Sequence, residues 1–191
     1  MKKDLLSKNI KIAVLGAISF LIMYIEFPIP PFPPFMKLDF SDLPAIIGGF
    51  SMGPLAGILI ELVKNLIHLL KTSTSGIGEL ANFLVGIAYV LPAALIYKYK
   101  KTKKWAVISM IIGIFSMIVL ASIANYYILI PFYSKFMPIE QIIDISKKVS
   151  NNIVDLYTYI VYVVVPFNAI KGMLLSLITF IIYKKIDKIL K

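Results

Sequence analysis

Four stretches of this chain, about 12–27, 79–97, 105–131 and 159–183, stay apolar over lengths that a soluble core helix does not need. A helix of ~20 apolar residues crosses the ~30 Å hydrocarbon core of a bilayer, so these stretches specify membrane-spanning helices. A fifth block, 43–70, is long enough for two short spans, divided near Gly53-Pro54 and Gly57, where glycine and proline favour a break or tight turn. The expectation is an all-α integral membrane protein, one domain over 1–191, with six transmembrane helices at about 12–27, 43–56, 57–71, 79–97, 105–131 and 159–183. External loops then fall at about 28–42 and 132–158. The first span is too long, and too polar at its far flank, for a cleaved signal peptide, and no small-residue cleavage site follows it.

Composition narrows the function. An apolar content of 59% and a mean hydropathy of +0.87 exclude an ordinary soluble domain, and 191 residues leave no room for a separate catalytic or nucleotide-binding domain. Neither GxxxxGK[ST] nor GxGxxG occurs in the chain. Cysteine is absent, which removes disulfides and thiolate metal sites, and with His68 alone a multi-histidine metal site is not expected. The net charge of +10 comes entirely from lysine, because there is no arginine. Its placement points to topological signalling and to membrane lipids with anionic headgroups, not to nucleic acid.

Four lysines (2, 3, 8 and 11) precede the first span, five (98, 100, 101, 103 and 104) separate the fourth and fifth, and four (184, 185, 188 and 191) follow the sixth. With both termini cytoplasmic, those thirteen of the twenty lysines lie on the inner face, as the positive-inside rule requires. An even number of spans is needed for this, which supports dividing 43–70.

The first external loop, PIPPFPPFMKLDFSDLP, is stiffened by proline and rich in aromatic residues; Ser41 or Asp42 can N-cap the second helix, with Pro44 tolerated in its first turn. In the last external loop, Ile139, Ile142, Ile143 and Ser146 recur at helical spacing and predict a short surface helix.

Polar residues inside such helices are costly unless a partner or ligand meets them. Asn125 lies in the fifth span, about six residues or roughly 9 Å below its outer end, and Asn168 and Lys171 share one face of the sixth at a similar depth. An asparagine offers a donor and an acceptor side by side, matching an amide or imide edge of a heterocycle, and lysine adds a point cation. The alternative is helix–helix glue. Glu61, Lys64, Asn65 and His68 form a second stripe, read as an internal network in which Glu61 and Lys64 pair. Gly76, Gly78, Glu79 and Asn82 read as turn and capping chemistry ahead of the fourth span. Ala13-x-x-x-Ala17 makes a flat strip that lets another helix approach, either within the chain or from a partner. Asp39 and Asp42, three apart with no histidine nearby, are the nearest thing to a paired-carboxylate or metal site, and no catalytic role or metal is expected of them.

These residues resemble a known family. Ala13-x-x-x-Ala17, KLDFSDLPAIIGGFSMGPLAGILIELVKNLIHLL at 37–70, GELANFLVG at 78–86, NYYILIPFY at 125–133 and PFNAIKG at 166–172 are similar to the substrate-binding (S) components of energy-coupling factor vitamin transporters, most closely the riboflavin-specific subgroup. The resemblance implies capture of riboflavin, as transported ligand and not cofactor, on the outer side of a bacterial plasma membrane under the first external loop. It implies hydrogen bonds from the Leu38 backbone, Asn125, Asn168 and Lys171, and a partner assembly of a transmembrane coupling protein with two ATPases, docked on Ala13 and Ala17. The missing ATP motif fits a subunit that borrows its energy. Phe35, Phe40, Tyr126 and Phe167 suit the apolar faces of a flat tricycle. No phosphate clamp of clustered basic groups is visible, which favours the free vitamin. The loop at 132–158 is longer than the resemblance implies. Alternatives are an S component for a folate- or thiamine-like vitamin, a small membrane-embedded enzyme, and a structural assembly subunit.

Overall fold

A computed structural model describes residues 2–72 and 75–190, without the side chains of Lys2, Lys3, Asp187 and Leu190. Lys191, counted above with the terminal lysines, lies outside the described residues, as do the side chains of Lys2 and Lys3. Among the described residues the regular structure is helical apart from one small ribbon. Helix α1 (Lys2–Met23) begins ahead of its apolar run, because lysine and leucine are good helix formers and extend it past the hydrocarbon zone. It ends before the proline-rich segment, whose fixed φ and missing N–H cannot continue a helix. Two short strands, β1 (Phe27–Pro28) and β2 (Lys37–Leu38), then pair antiparallel, Phe27 opposite Leu38, with an ion pair between Lys37 and Glu26 alongside. The first loop is thus a stapled hairpin.

Helix α2 (Leu43–Met52) is buried on every side from Pro44 to Phe50 and packs against α1, α3, α4 and α9. The sequence expectation of a side-chain cap at its start needs correction. Asp42 occupies the N-cap position with helical dihedrals and makes no capping bond, because its carboxylate is drawn to lysines elsewhere. The break between α2 and α3 (Pro54–His68) falls at Gly53, whose φ of +100° suits glycine. Gly57 instead lies inside α3, where an added Cβ would stand 3.0 Å from the Ala45 carbonyl oxygen. A 3-10 turn, Leu69–Lys71, extends α3. Helix α4 (Ile77–Tyr99) starts after Gly76, which is left-handed at φ +88°.

Helix α5 (Lys103–Ala124) runs without a break through a π turn, Asn125–Leu129, into α6 (Ile130–Tyr133). Helix α7 (Ile139–Ser146) is the short amphipathic helix expected from its spacing, with Ile142 and Ser146 buried. Asp155 and Thr158 form a capping box for α8 (Leu156–Tyr159), which continues through a second π turn, Ile160–Val164, into α9 (Val165–Leu190). Among the described residues four helical runs are long and apolar enough to cross a membrane: Asp4–Met23, Ile77–Tyr99, Lys103–Tyr133 and Leu156–Ile186. Helix α2, rising about 15 Å at 1.5 Å per residue, is shorter than the hydrocarbon core.

At the end of the bundle that carries the chain termini, the core is aromatic: Phe50 stacks on Tyr97 at 4.2 Å, and Tyr183 meets both rings edge-on. Close backbone approach between α2, α3 and α4 rests on Gly49, Gly57 and Ala94, in keeping with small residues at membrane helix contacts.

Candidate functional site

At the opposite end the core is ionic. The hairpin loop delivers Asp39, Ser41 and Asp42 into the bundle, α3 supplies Glu61 and Lys64, and α9 supplies Lys171; all six are buried. The local sequence shapes the loop: the Ser41 backbone N–H donates to Asp39 Oδ1 at 2.8 Å, an Asx-type turn, and the Ser41 hydroxyl donates to the same oxygen. Ser19 on α1 donates to the Ser41 carbonyl at 2.5 Å and fastens the loop from a third helix.

Lys64 Nζ donates to Asp42 Oδ1 at 2.6 Å and to Ser41 Oγ at 3.1 Å, and stands 2.6 Å from Glu61 Oε2. Lys171 Nζ donates to Asp39 Oδ2 at 3.0 Å and forms an ion pair with Asp42 Oδ2, also at 3.0 Å. Asp42 therefore bridges two lysines from two helices. Three carboxyl groups meet two ammoniums here, and a charge at this depth persists only when paired, since alone it costs several kcal/mol. Helix α4 passes tightly at Gly86, where a Cβ would lie 2.7 Å from Glu61 Oε2.

The expected pairing of Glu61 with Lys64 is present, but the stripe is not self-contained. Lys171, read from sequence as a point cation for a ligand or as helix–helix glue, and Asp39 and Asp42, read as a marginal carboxylate pair, belong to the same network. A signal existed: charged residues in apolar helices need opposite partners, and these acids and lysines complement one another. Asn65 donates to the Glu61 carbonyl at 2.9 Å. His68 belongs to a separate cluster at the rim, with Nδ1 2.7 Å from Glu79 Oε1, and Thr72 donating to the other Glu79 oxygen at 2.9 Å. Glu79 thus does more than cap a turn.

The other expected ligand residues come from the first loop, from α9 and from the π turn that follows α5. Leu38 is buried at the hairpin end, next to Asp39. Phe40 is half-buried against Phe27, and Phe35 is exposed. Phe167 is buried, edge-on to Phe32 of the first loop at 5.4 Å. Asn168 lies one turn from Lys171, and its Nδ2 donates to the Val164 carbonyl at 2.8 Å. That uses one of the amide's two N–H groups and leaves its carbonyl to be met. Asn125 makes the equivalent bond to the Ala121 carbonyl at 2.8 Å, and half-exposed Tyr126 meets Tyr127 edge-on. Among the described residues no hydrogen bond joins Asn125 to Asn168 or Lys171.

Sequence reasoning missed the two π turns. One begins at Asn125, the other ends four residues before Asn168, and the two touch. Single π turns within α-helices recur at functional sites, since the widened turn re-aims side chains. On the outside of the bundle, Ala13 and Ala17 are exposed on α1, while Gly16 between them is buried against Val63.

Residues 7–183 match the family model for the substrate-specific component of ECF transporters. The riboflavin transporter RibU of Staphylococcus aureus (strain TCH60) is 38% identical over 182 residues, which cover 95% of this chain and 91% of that protein. The riboflavin transporter FmnP of Bacillus subtilis (strain 168) is 34% identical over 94% of this chain and 91% of its own length. A solved structure of the S component of a bacterial ECF transporter superposes with a TM-score of 0.78 at 36% identity, over 96% of this chain and 97% of that one. This chain belongs to the family of substrate-specific components of ECF transporters.

Proposed function

We propose that the chain is the riboflavin-capturing subunit of an ATP-driven vitamin importer in the bacterial cell membrane. The observation that carries this reading is the agreement between relatives and site. The full-length relatives are riboflavin transporters, and the buried end of this bundle offers Asn168 and Lys171 one turn apart beneath an aromatic loop. The isoalloxazine ring of riboflavin is a flat tricycle with an imide edge. The Leu38 backbone, Asn125, Asn168 and Lys171 meet its polar edge, and Phe40, Tyr126 and Phe167 lie against its faces. The transporter relatives set aside the membrane-enzyme reading, and the carboxylates of Asp39 and Asp42 are engaged by lysines. An S component for a folate- or thiamine-like vitamin is disfavoured by the same relatives.

In this reading the single domain crosses the membrane six times, with α2 and α3 as the two short spans and both termini cytoplasmic. The lysine clusters before α1, between α4 and α5, and at the end of α9 support that orientation through the positive-inside rule. The hairpin loop and the 132–158 segment then face outward. The exposed Ala13/Ala17 strip is the docking surface for a transmembrane coupling protein, itself driven by two ATPases.

The absorption spectrum of the protein purified from cells tests the ligand. A flavin band near-stoichiometric with protein is expected. Protein that carries no flavin and leaves riboflavin fluorescence unquenched on titration would overturn the reading.

A further inference from the structure

Asp42 is the member of the ionic network with the most divided duty. Its Oδ1 is held by Lys64 from α3 at 2.6 Å, and its Oδ2 faces Lys171 from α9 at 3.0 Å. Lys64 is fixed in turn by Glu61 and Ser41, so Asp42 cannot swing without breaking contacts on two helices. Lys171 is correspondingly held by both Asp39 and Asp42, each with a carboxylate oxygen 3.0 Å from its ammonium.

An ammonium has three N–H groups. One is donated to Asp39 Oδ2, and Asp42 Oδ2 holds the ammonium at 3.0 Å as an ion pair, which leaves an N–H for a ligand. The charge around it is also set: an anion arriving at Lys171 would meet the carboxylates of Asp39 and Asp42, each 3.0 Å from its ammonium. A neutral carbonyl or ring nitrogen meets no such opposition. We propose that Asp42 is a positioning residue for ligand capture, holding the Lys171 ammonium where an N–H meets a neutral acceptor of the ligand and making the site selective for uncharged ring edges. This rests on the reading of Lys171 as a riboflavin-contacting residue and adds to it a residue that touches no ligand.

The test is a double-mutant cycle on the full-length chain in detergent, read by quenching of riboflavin fluorescence, with Asp42→Asn, Lys171→Met and the double variant. Each single change is expected to weaken binding about ten-fold or more. Because Asp42 acts through Lys171, the double variant should bind no more weakly than Lys171→Met alone. A merely structural aspartate would instead give losses that multiply, and that result overturns the proposal, as does an unchanged affinity in Lys171→Met. If Asp42→Asn does not fold, Asp39→Asn runs the same cycle, since Asp39 meets Lys171 without pairing to Lys64. Should neither aspartate variant fold while Lys171→Met does, the pairing serves the bundle and not the ligand, and the proposal fails. Wild-type protein that does not quench riboflavin fails earlier and differently: it removes the riboflavin reading itself.

Discussion

The two ends of the bundle fill their interiors with opposite chemistry. Where the chain termini lie, Phe50, Tyr97 and Tyr183 pack ring against ring, and the requirement is volume and shape. Where the first loop enters, the interior holds Asp39, Asp42, Glu61, Lys64 and Lys171. Aromatic packing is tolerant, because a lost contact costs only its own dispersion and transfer energy. The ionic end is less tolerant, because removing one member leaves its neighbours short of a counter-charge away from water. Lipid tails are as apolar as leucine, so the hydrophobic effect does little to hold membrane helices to each other. Charge pairing supplies at the loop end what ring packing supplies at the other, with the added ability to fix directions. The proposed riboflavin site draws on those fixed directions.

The sharpest way to break this contrast is to change one residue at each end. Lys64→Met keeps most of the side-chain length but leaves Asp42 and Glu61 without their shared cation, and should cost about 3–5 kcal/mol. Phe50→Leu at the other end keeps an apolar, similarly sized side chain and should cost about 1 kcal/mol. Thermal melting of the two purified variants in detergent measures both. If Phe50→Leu proves the more damaging, the ionic end is hydrated or redundant and the contrast collapses.

A smaller effect separates binding from folding within the loop end. Asn168→Ala removes an amide whose only bond among the described residues is to the Val164 carbonyl one turn back. It should weaken riboflavin binding by about 1–3 kcal/mol, the range for an unmet buried polar partner, and leave the melting temperature of ligand-free protein nearly unchanged. A loss of thermal stability with unaltered affinity would assign Asn168 to helix–helix contact.

Much of this was legible in the sequence, for physical reasons that differ by element. The long apolar runs carry their own length signal, and Gly53-Pro54 carries its own break. The helical spacing of Ile139, Ile142 and Ser146 suffices to form α7, because burial of one face decides it. What the sequence hid was long-range. Lys171 lies 132 residues from Asp39, and nothing local to PFNAIKG says that its cation is already engaged. Asp42 looked like a helix cap because capping is the commonest local use of an aspartate ahead of a helix. In the folded chain the demand of two buried lysines outweighs the ~1 kcal/mol that a cap offers. The π turns at 125–129 and 160–164 left no signal at all, since their residues are ordinary helix sequence.

The smallest effect on the isolated protein should come from the face of α1 that belongs to neither end. Gly16 turns inward, where even a Cβ would collide with Val63, while Ala13 and Ala17 are exposed on the outer face. Placing tryptophan at both outward positions adds bulk without touching the ionic network or the aromatic core. Ala13→Trp/Ala17→Trp protein should therefore melt and bind riboflavin like wild type. A partner helix that approaches along this strip needs its flatness, because close contact between membrane helices depends on small residues. The double variant should then fail to copurify with the coupling protein and its ATPases, and cells relying on it should take up no riboflavin. Uptake that survives would show that the strip faces lipid alone. Riboflavin binding lost along with uptake would mean that the outer face of α1 and the ionic end are mechanically joined, through Ser19 and the loop it fastens, and that the regions contrasted here are not independent.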